Sequence, residues 1–141
     1  MKEQLAAALA AEEAAIYAYG LIGVHLNREA EIKAARDSEQ VHRQRRDYLV
    51  DKLDELKASA APAPAGYELP FEVTSRKTAL QLAVHIEDGV CQAWRAVLPV
   101  TETNQRNSAL SAMTDSAVRA TAWRRYAGAT PLTMAFPGRP G

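Results

Sequence analysis

The sequence has 141 residues, of which 48% are hydrophobic and 24% are charged, and its 17 basic and 17 acidic residues give a formal net charge of zero. This length is enough for one domain with one core, and the balanced charge argues against nucleic acid, an acidic substrate or an anionic membrane surface as partner. The single cysteine, Cys91, excludes an intrachain disulfide and argues against a cysteine-based zinc site, as expected of a cytoplasmic protein.

The first 26 residues predict an alanine-rich helix with one inward stripe, over 3–26. At steps of three and four residues the stripe is Leu5, Leu9, Glu12, Ile16, Tyr19, Gly23 and Leu26. Two adjacent acids, Glu12 and Glu13, interrupt the alanines, and only Glu12 lies on the stripe. Because these acids cut the apolar run short and no stop-transfer segment follows, we expect neither a signal peptide nor a membrane span.

A change of register near Asn27 predicts a tight turn and a second helix over 28–57. Asn27 is a good N-cap residue, and Glu29 and Glu31 suit the positive end of a helix that starts there. The second stripe is Ile32, Ala35, Glu39, His42, Arg46, Leu49, Leu53 and Leu56. The first 57 residues therefore predict a hairpin of two helices.

Residues 58–74 are rich in proline, which excludes a continuing helix. Such a connection reaches about 60 Å when fully extended. It can therefore cross a bundle of helices about 33 Å long, and we interpret it as a long crossover.

A third helix over 75–98 is predicted to start at a Thr74 or Ser75 cap and to end before Pro99. Its stripe is Leu80, Val84, Glu87, Cys91, Trp94 and Leu98. A fourth helix is predicted over 103–127, with one face formed by Leu110, Met113 and Ala117 and with Gly128 as the C-cap.

These elements predict one all-α domain over residues 1–141. Its architecture is an up-down four-helix bundle, made of two helical hairpins joined by the long crossover. The tail over 128–141 is expected to be extended and to pack back through Met134 and Phe136, with mobility as the alternative.

Three of the predicted helices place acidic residues in the presumed core. Glu12 lies on the first stripe, Glu39 and His42 lie on the second at i and i+3, and Glu87 lies on the third. Buried carboxylates must be neutralised, paired or bound to metal. Carboxylate-bridged di-iron and di-manganese bundles take one Glu from each of two helices and a Glu-x-x-His pair from each of the other two. The order of these residues matches the first three helices of such a bundle.

On these residues the sequence resembles the ferritin-like superfamily and, more narrowly, an uncharacterised family of small alanine-rich ferritin-like proteins from high-GC bacteria. The segments that carry the likeness are AAEEAAIYAYG (10–20), HRQRRDYL (42–49), IEDGVCQAWRAV (86–97), TDSAVRATAWRR (114–125) and AFPG (135–138). The resemblance covers nearly the whole chain. It implies a ferritin-like fold, and it implies no assigned reaction.

The fourth helix departs from the metal-site pattern. Asp115 follows Glu87 at nearly the spacing by which Glu39 follows Glu12, so it stands where a second Glu-x-x-His should begin. Three residues later the chain has Val118 instead of histidine. The candidate metal ligands are therefore Glu12, Glu39, His42, Glu87 and Asp115.

Two interpretations of this set stay open. In the first, Arg46 on the second stripe and Arg124 on the fourth helix neutralise the acids, and the cluster is a metal-free relic. The protein is then a binding or interaction protein, expected to be a homodimer, whose small-molecule ligand or partner is unidentified. In the second, the cluster holds iron or manganese and the protein is an oxidoreductase acting on oxygen or peroxide. The missing second histidine favours the first interpretation.

Overall fold

The computed structural model describes residues 1–140, which form four α helices, one short 3-10 helix and no strand. The helices are α1 (Lys2–Val24), α2 (Glu29–Glu55), α3 (Arg76–Arg95) and α4 (Thr103–Ala127), with the 3-10 turn at Leu98–Val100. The prediction of an all-α chain with four helices is confirmed. The observed ends of the first three helices differ from the predicted ends by one to three residues.

Two apolar clusters fill the interior and show in which direction each helix runs. The first cluster includes Leu5, Leu9, Leu49, Leu53, Val90, Trp94, Ala109 and Ala112. The second includes Tyr19, Ile22, Leu26, Ala35, Leu80, Leu82, Ala83 and Trp123. Following the chain, α1 and α4 run from the first cluster to the second, and α2 and α3 run from the second to the first. The main helix packings are α1 with α2, α1 with α3, and α3 with α4.

The connection between α2 and α3 runs along the bundle. Ala58 and Ala60 pack against the first cluster, and Leu69, Phe71 and Val73 pack against the second. The chain leaves α2 at one end of the core and enters α3 at the other, which requires a connection of this length. Its course agrees with the crossover expected from the proline-rich sequence.

Two helix ends lie at the capping residues predicted from the sequence, Ser75 at the start of α3 and Gly128 at the end of α4. Ser75 accepts from the backbone N–H of Thr78 while the Thr78 hydroxyl accepts from the backbone N–H of Ser75, a reciprocal cap. Gly128 ends α4 with φ 67°, in the left-handed region that glycine adopts readily. The predicted Asn27 cap is wrong, because Arg28 precedes α2 with extended φ and ψ and makes no side-chain cap bond.

A buried ion pair ties the start of α2 to the start of α3. The carboxylate of Glu31 is 1% exposed and accepts two hydrogen bonds from Arg76, at 2.9 and 2.6 Å. These bonds lower the pKa of Glu31. Arg76 also donates to the backbone oxygen of Tyr126 at 3.2 Å, so the same guanidinium reaches the end of α4.

The predicted inward face of α4 is wrong in register. The buried residues of this helix are Ala109, Ala112, Ser116, Ala120 and Trp123. Leu110, placed on the inward face by the sequence, is 47% exposed. Because small residues occupy several faces of α4, polarity gives little information about its rotation, which depends on packing against α3.

The tail packs back on the bundle, but not through the residues predicted to anchor it. Met134 is 41% exposed and Phe136 is 60% exposed, whereas Gly138 is buried against α3. Gly138 has φ 78°, and a Cβ there would lie 2.9 Å from the backbone oxygen of Cys91. Arg95 donates to the backbone oxygen of Pro137 at 3.3 Å. Glycine is therefore the residue that lets the tail approach α3 this closely.

α1 is long and apolar enough to cross a membrane when only length and composition are considered, a test that core helices and signal sequences also pass. In this structure α1 packs against α2 and α3. Its inward side carries two polar residues, Glu12 and Tyr19, which are both buried. They belong to the hydrogen-bond network described next.

Candidate functional site

Three of the five predicted site residues meet in the interior. Glu12 comes from α1, His42 from α2 and Glu87 from α3, and the side chains of all three have no exposed surface. His42 Nδ1 lies 2.5 Å from Glu12 Oε2, and His42 Nε2 lies 2.8 Å from Glu87 Oε2. One imidazole therefore bridges two carboxylates and connects three helices.

The remaining hydrogen bonds come from aromatic side chains. Trp94 Nε1 donates to Glu12 Oε1 at 2.7 Å, and the Tyr19 hydroxyl donates to Glu87 Oε2. Trp123 Nε1 in turn donates to the Tyr19 oxygen at 2.9 Å. The sequence placed Tyr19 and Trp94 on inward stripes but did not identify their acceptors, because a stripe does not tell which atoms meet across helices. We call these six residues, Glu12, Tyr19, His42, Glu87, Trp94 and Trp123, the central network.

The charge of His42 is set by its two carboxylate partners. Burial alone would lower the pKa of the imidazole, but the hydrogen bonds to Glu12 and Glu87, together with their negative charges, raise it to about 9. An imidazolium has a hydrogen on both nitrogens and can donate to both carboxylates. Burial and the neighbouring Glu87 raise the pKa of Tyr19, so its hydroxyl stays a donor.

Glu39 does not belong to the central network, and the prediction that it faces the core is wrong. Its side chain is 31% exposed and lies 3.7 Å from Arg43, one turn along the same helix. The inward line of α2 passes instead through Ala35, Ser38, His42 and Leu49. Because the buried line runs through Ser38 and His42, Glu39 lies to one side of it, about 100° around the helix from Ser38.

Asp115 also lies outside the network. It is 37% exposed, with Arg119 Nη1 at 2.8 Å and Arg45 Nη2 at 3.4 Å from its Oδ2. Arg119 is the arginine nearest to the two acids of the central network, at 4.0 Å from Glu87 Oε1. Arg119 follows Asp115 by four residues, and this spacing on a helix is the sequence signal that could have predicted their ion pair.

The two arginines expected to neutralise the cluster have other partners. Arg46 pairs with its neighbour Asp47 at 3.0 Å, and Arg124 pairs with Asp88. Neither arginine pairs with Glu12 or Glu87, because the inward positions of α2 and α4 belong to other residues. His42 is therefore the cation that directly contacts and neutralises both Glu12 and Glu87.

The donor set does not fit a two-metal carboxylate centre. Both nitrogens of His42 and both oxygens of Glu12 are occupied by hydrogen bonds within the protein. The one buried carboxylate oxygen of the network without such a bond is Glu87 Oε1. Within residues 1–140, no group of three or more His, Cys, Asp and Glu side chains has an arrangement suited to holding a metal ion. Metal binding by the five predicted residues stays a prediction.

A cleft of about 620 Å³ opens between α2 and α4, beside the network. Its lining includes Arg45 and Tyr48 from α2, Asp115 from α4 and Trp94 from α3. Trp94 is 1% exposed and is the residue whose indole N–H binds Glu12. The cleft and the buried network therefore share one side chain.

Comparisons with known proteins agree with the all-helical fold and give no activity. A crystal structure of a conserved hypothetical protein from Mycobacterium tuberculosis has a TM-score of 0.83 and 40% sequence identity, over 88% of this chain and 94% of that chain. A search of curated proteins gave no match. The domain of unknown function DUF4439 matches residues 4–141. Since this match covers nearly the whole chain, the protein belongs to the DUF4439 family.

Proposed function

We propose that this protein is a ferritin-like four-helix bundle in which a metal-free hydrogen-bond network has replaced the carboxylate metal centre, and that its role is to bind a ligand or partner. The helix directions and the single long crossover support the ferritin-like arrangement. The observation that carries the metal-free role is the pair of carboxylate contacts of His42, at 2.5 and 2.8 Å. An imidazolium held in this way has no lone pair to give to a metal.

In this proposal the central network is structural. His42 connects the acids of α1 and α3, and Trp94 connects α3 back to α1 through Glu12. Buried polar networks of this kind favour one arrangement of helices, even where they do not add stability. The network would keep Trp94 fixed beside the cleft between α2 and α4, which makes that cleft the natural place for binding.

Elemental analysis of the untagged protein tests the metal-free role. We expect well under one iron, manganese or zinc per chain, and an unchanged unfolding temperature in the presence of a chelator, because the ligand atoms already have protein partners. His42→Gln is the informative variant and His85→Gln is its matched control, since His85 is exposed on α3.

A second candidate function has its own support. Glu12, His42 and Glu87 are ligand-type residues from three helices, and Glu87 Oε1 has no hydrogen bond. If wild type and His85→Gln carry about one or two metal ions per chain and His42→Gln carries none, the metal-free proposal fails. The oxidoreductase alternative would then be favoured, with assays on oxygen and peroxide as the next step.

The homodimer expected from the sequence is part of this proposal. Its support is a group of exposed apolar side chains on α4 and the tail: Leu110, Val118, Met134 and Phe136. Light scattering should give a molar mass of twice the chain mass of 15.4 kDa, and Val118→Glu should reduce it to one chain. Val24→Glu, at an exposed position on α1, is the control that should stay dimeric. A monomeric wild type would remove the dimer from the proposal.

A further inference from the structure

The cleft between α2 and α4 carries an arginine whose hydrogen-bonding capacity is only partly used. Arg45 lines this cleft, and its Nε is shielded from solvent without any hydrogen-bond acceptor. Its one ion pair is the 3.4 Å contact between Nη2 and Asp115. A shielded guanidinium N–H without an acceptor is unfavourable, and a carboxylate that accepts two parallel N–H bonds is its best partner.

Asp115 does not need Arg45 for its own neutralisation. Arg119 holds it with bonds of 2.8 and 3.4 Å to its two oxygens. Arg45 can therefore turn from Asp115 toward a ligand without leaving an unpaired carboxylate behind. The negative charge of Asp115 is offset by Arg119, so its repulsion of an incoming anion is reduced.

The remaining lining indicates what kind of anion the cleft suits. Tyr48 supplies aromatic surface and is backed by the buried Trp94, with ring centroids 6.4 Å apart, while Gln44 and Ser111 supply uncharged polar groups. Arg45 and Asp115 are the charged residues of the lining. Since Arg119 neutralises Asp115, the positive charge of Arg45 matches one further negative charge, so a nucleotide or polyphosphate would bring charges that no cation of the lining meets.

We propose that this cleft binds a small aromatic monocarboxylic acid, with its carboxylate on Arg45 and its ring against Tyr48. This assignment rests on the proposed binding function and names its ligand class. The volume of about 620 Å³ lies in the range of about 300–1,000 Å³ that is usual for small-molecule sites. The carboxylate gives orientation, and the apolar body gives most of the buried surface.

Calorimetric titration with 1-naphthoate tests the assignment, with 1-naphthalenemethanol as the neutral probe of similar shape. We expect 1-naphthoate to bind with a stoichiometry of one per chain and the alcohol to bind at least about ten-fold more weakly. Arg45→Gln should weaken 1-naphthoate by at least about ten-fold and leave the alcohol unchanged. Arg43→Gln is the matched control: it removes an arginine of the same helix that pairs with Glu39 and does not line the cleft.

A second variant tests whether the probes bind in the cleft or elsewhere on the protein. Ser111 is exposed on α4 and lines the cleft, so Ser111→Trp should fill it without disturbing the core, and should abolish binding of both probes. Circular dichroism of each variant checks folding. Equal binding of acid and alcohol, binding unchanged in Arg45→Gln, or no binding of 1-naphthoate to wild type would each overturn the assignment. Metal content of the same preparation reports on the proposed function separately, because a metal-free protein that ignores 1-naphthoate contradicts only the ligand class.

Discussion

Replacing His42 with alanine is expected to lower the free energy of unfolding at pH 7 by about 3–5 kcal/mol, the range found when one partner of a buried ion pair is removed. The side chain has no exposed surface and is the cation shared by Glu12 and Glu87. Without it, two carboxylates from α1 and α3 face each other with no positive charge between them. Denaturant unfolding followed by circular dichroism measures the loss.

Two further variants show whether charge or volume causes this loss. His42→Leu restores most of the side-chain volume, so it should still be destabilised if the missing charge dominates. His85→Ala removes an exposed imidazole from α3 and should change the free energy of unfolding by less than about 0.5 kcal/mol. A His42→Ala protein as stable as the His85→Ala protein would contradict the role of His42 as the neutralising group.

The stability of the wild-type protein is expected to fall as the pH rises from 6.5 to 8.5. The pKa of His42 is raised from 6.5 to about 9 in the folded protein, through its contacts with Glu12 and Glu87. A base with a raised pKa contributes its full stabilisation below its unfolded pKa and loses that contribution as the pH rises through its folded pKa. Over this window the expected loss is about 2 kcal/mol, at about 1.36 kcal/mol per pKa unit.

The difference between wild type and His42→Gln isolates this effect. Both proteins share every other titrating group, so their difference in free energy of unfolding should shrink by about 2 kcal/mol between pH 6.5 and 8.5. Burial raises the pKa of the Cys91 thiol from 9.0 to about 11, so its ionisation in the unfolded chain falls mainly above the window. A difference that is constant with pH would show that His42 is not protonated between its two carboxylates.

The sequence predicted α3 well, because its apolar and polar residues lie on clearly different faces. On α3, Leu80, Glu87 and Trp94 were placed on the inward stripe, and all three are buried. On α1, Glu12 was placed on the inward stripe and Glu13 off it, and the structure buries Glu12 and leaves Glu13 partly exposed. An isolated acid within an apolar stripe is informative, because its position follows from the helical period alone.

The errors lie on α2 and α4. Between Ala35 and Leu49, α2 is mostly polar, so two neighbouring lines fit the pattern about equally well and Glu39 was placed on the wrong one. On α4, small residues on several faces allowed Leu110 to be read as inward. In both helices the rotation depends on what the neighbouring helices offer for packing, which a single-helix pattern does not contain.

Sequence patterns were enough to predict the all-α class, the four helices, the proline-rich crossover and the burial of Glu12, His42 and Glu87. These features depend on residue spacing and on local rules of helix caps and breakers. Helix packing was needed to identify the hydrogen-bond partners of these three residues, to show that Arg119 and not Arg46 is the nearby arginine, and to reveal the cleft beside Trp94. Such pairings depend on distances of a few ångströms between helices that are far apart in the chain, and helix rotation sets those distances.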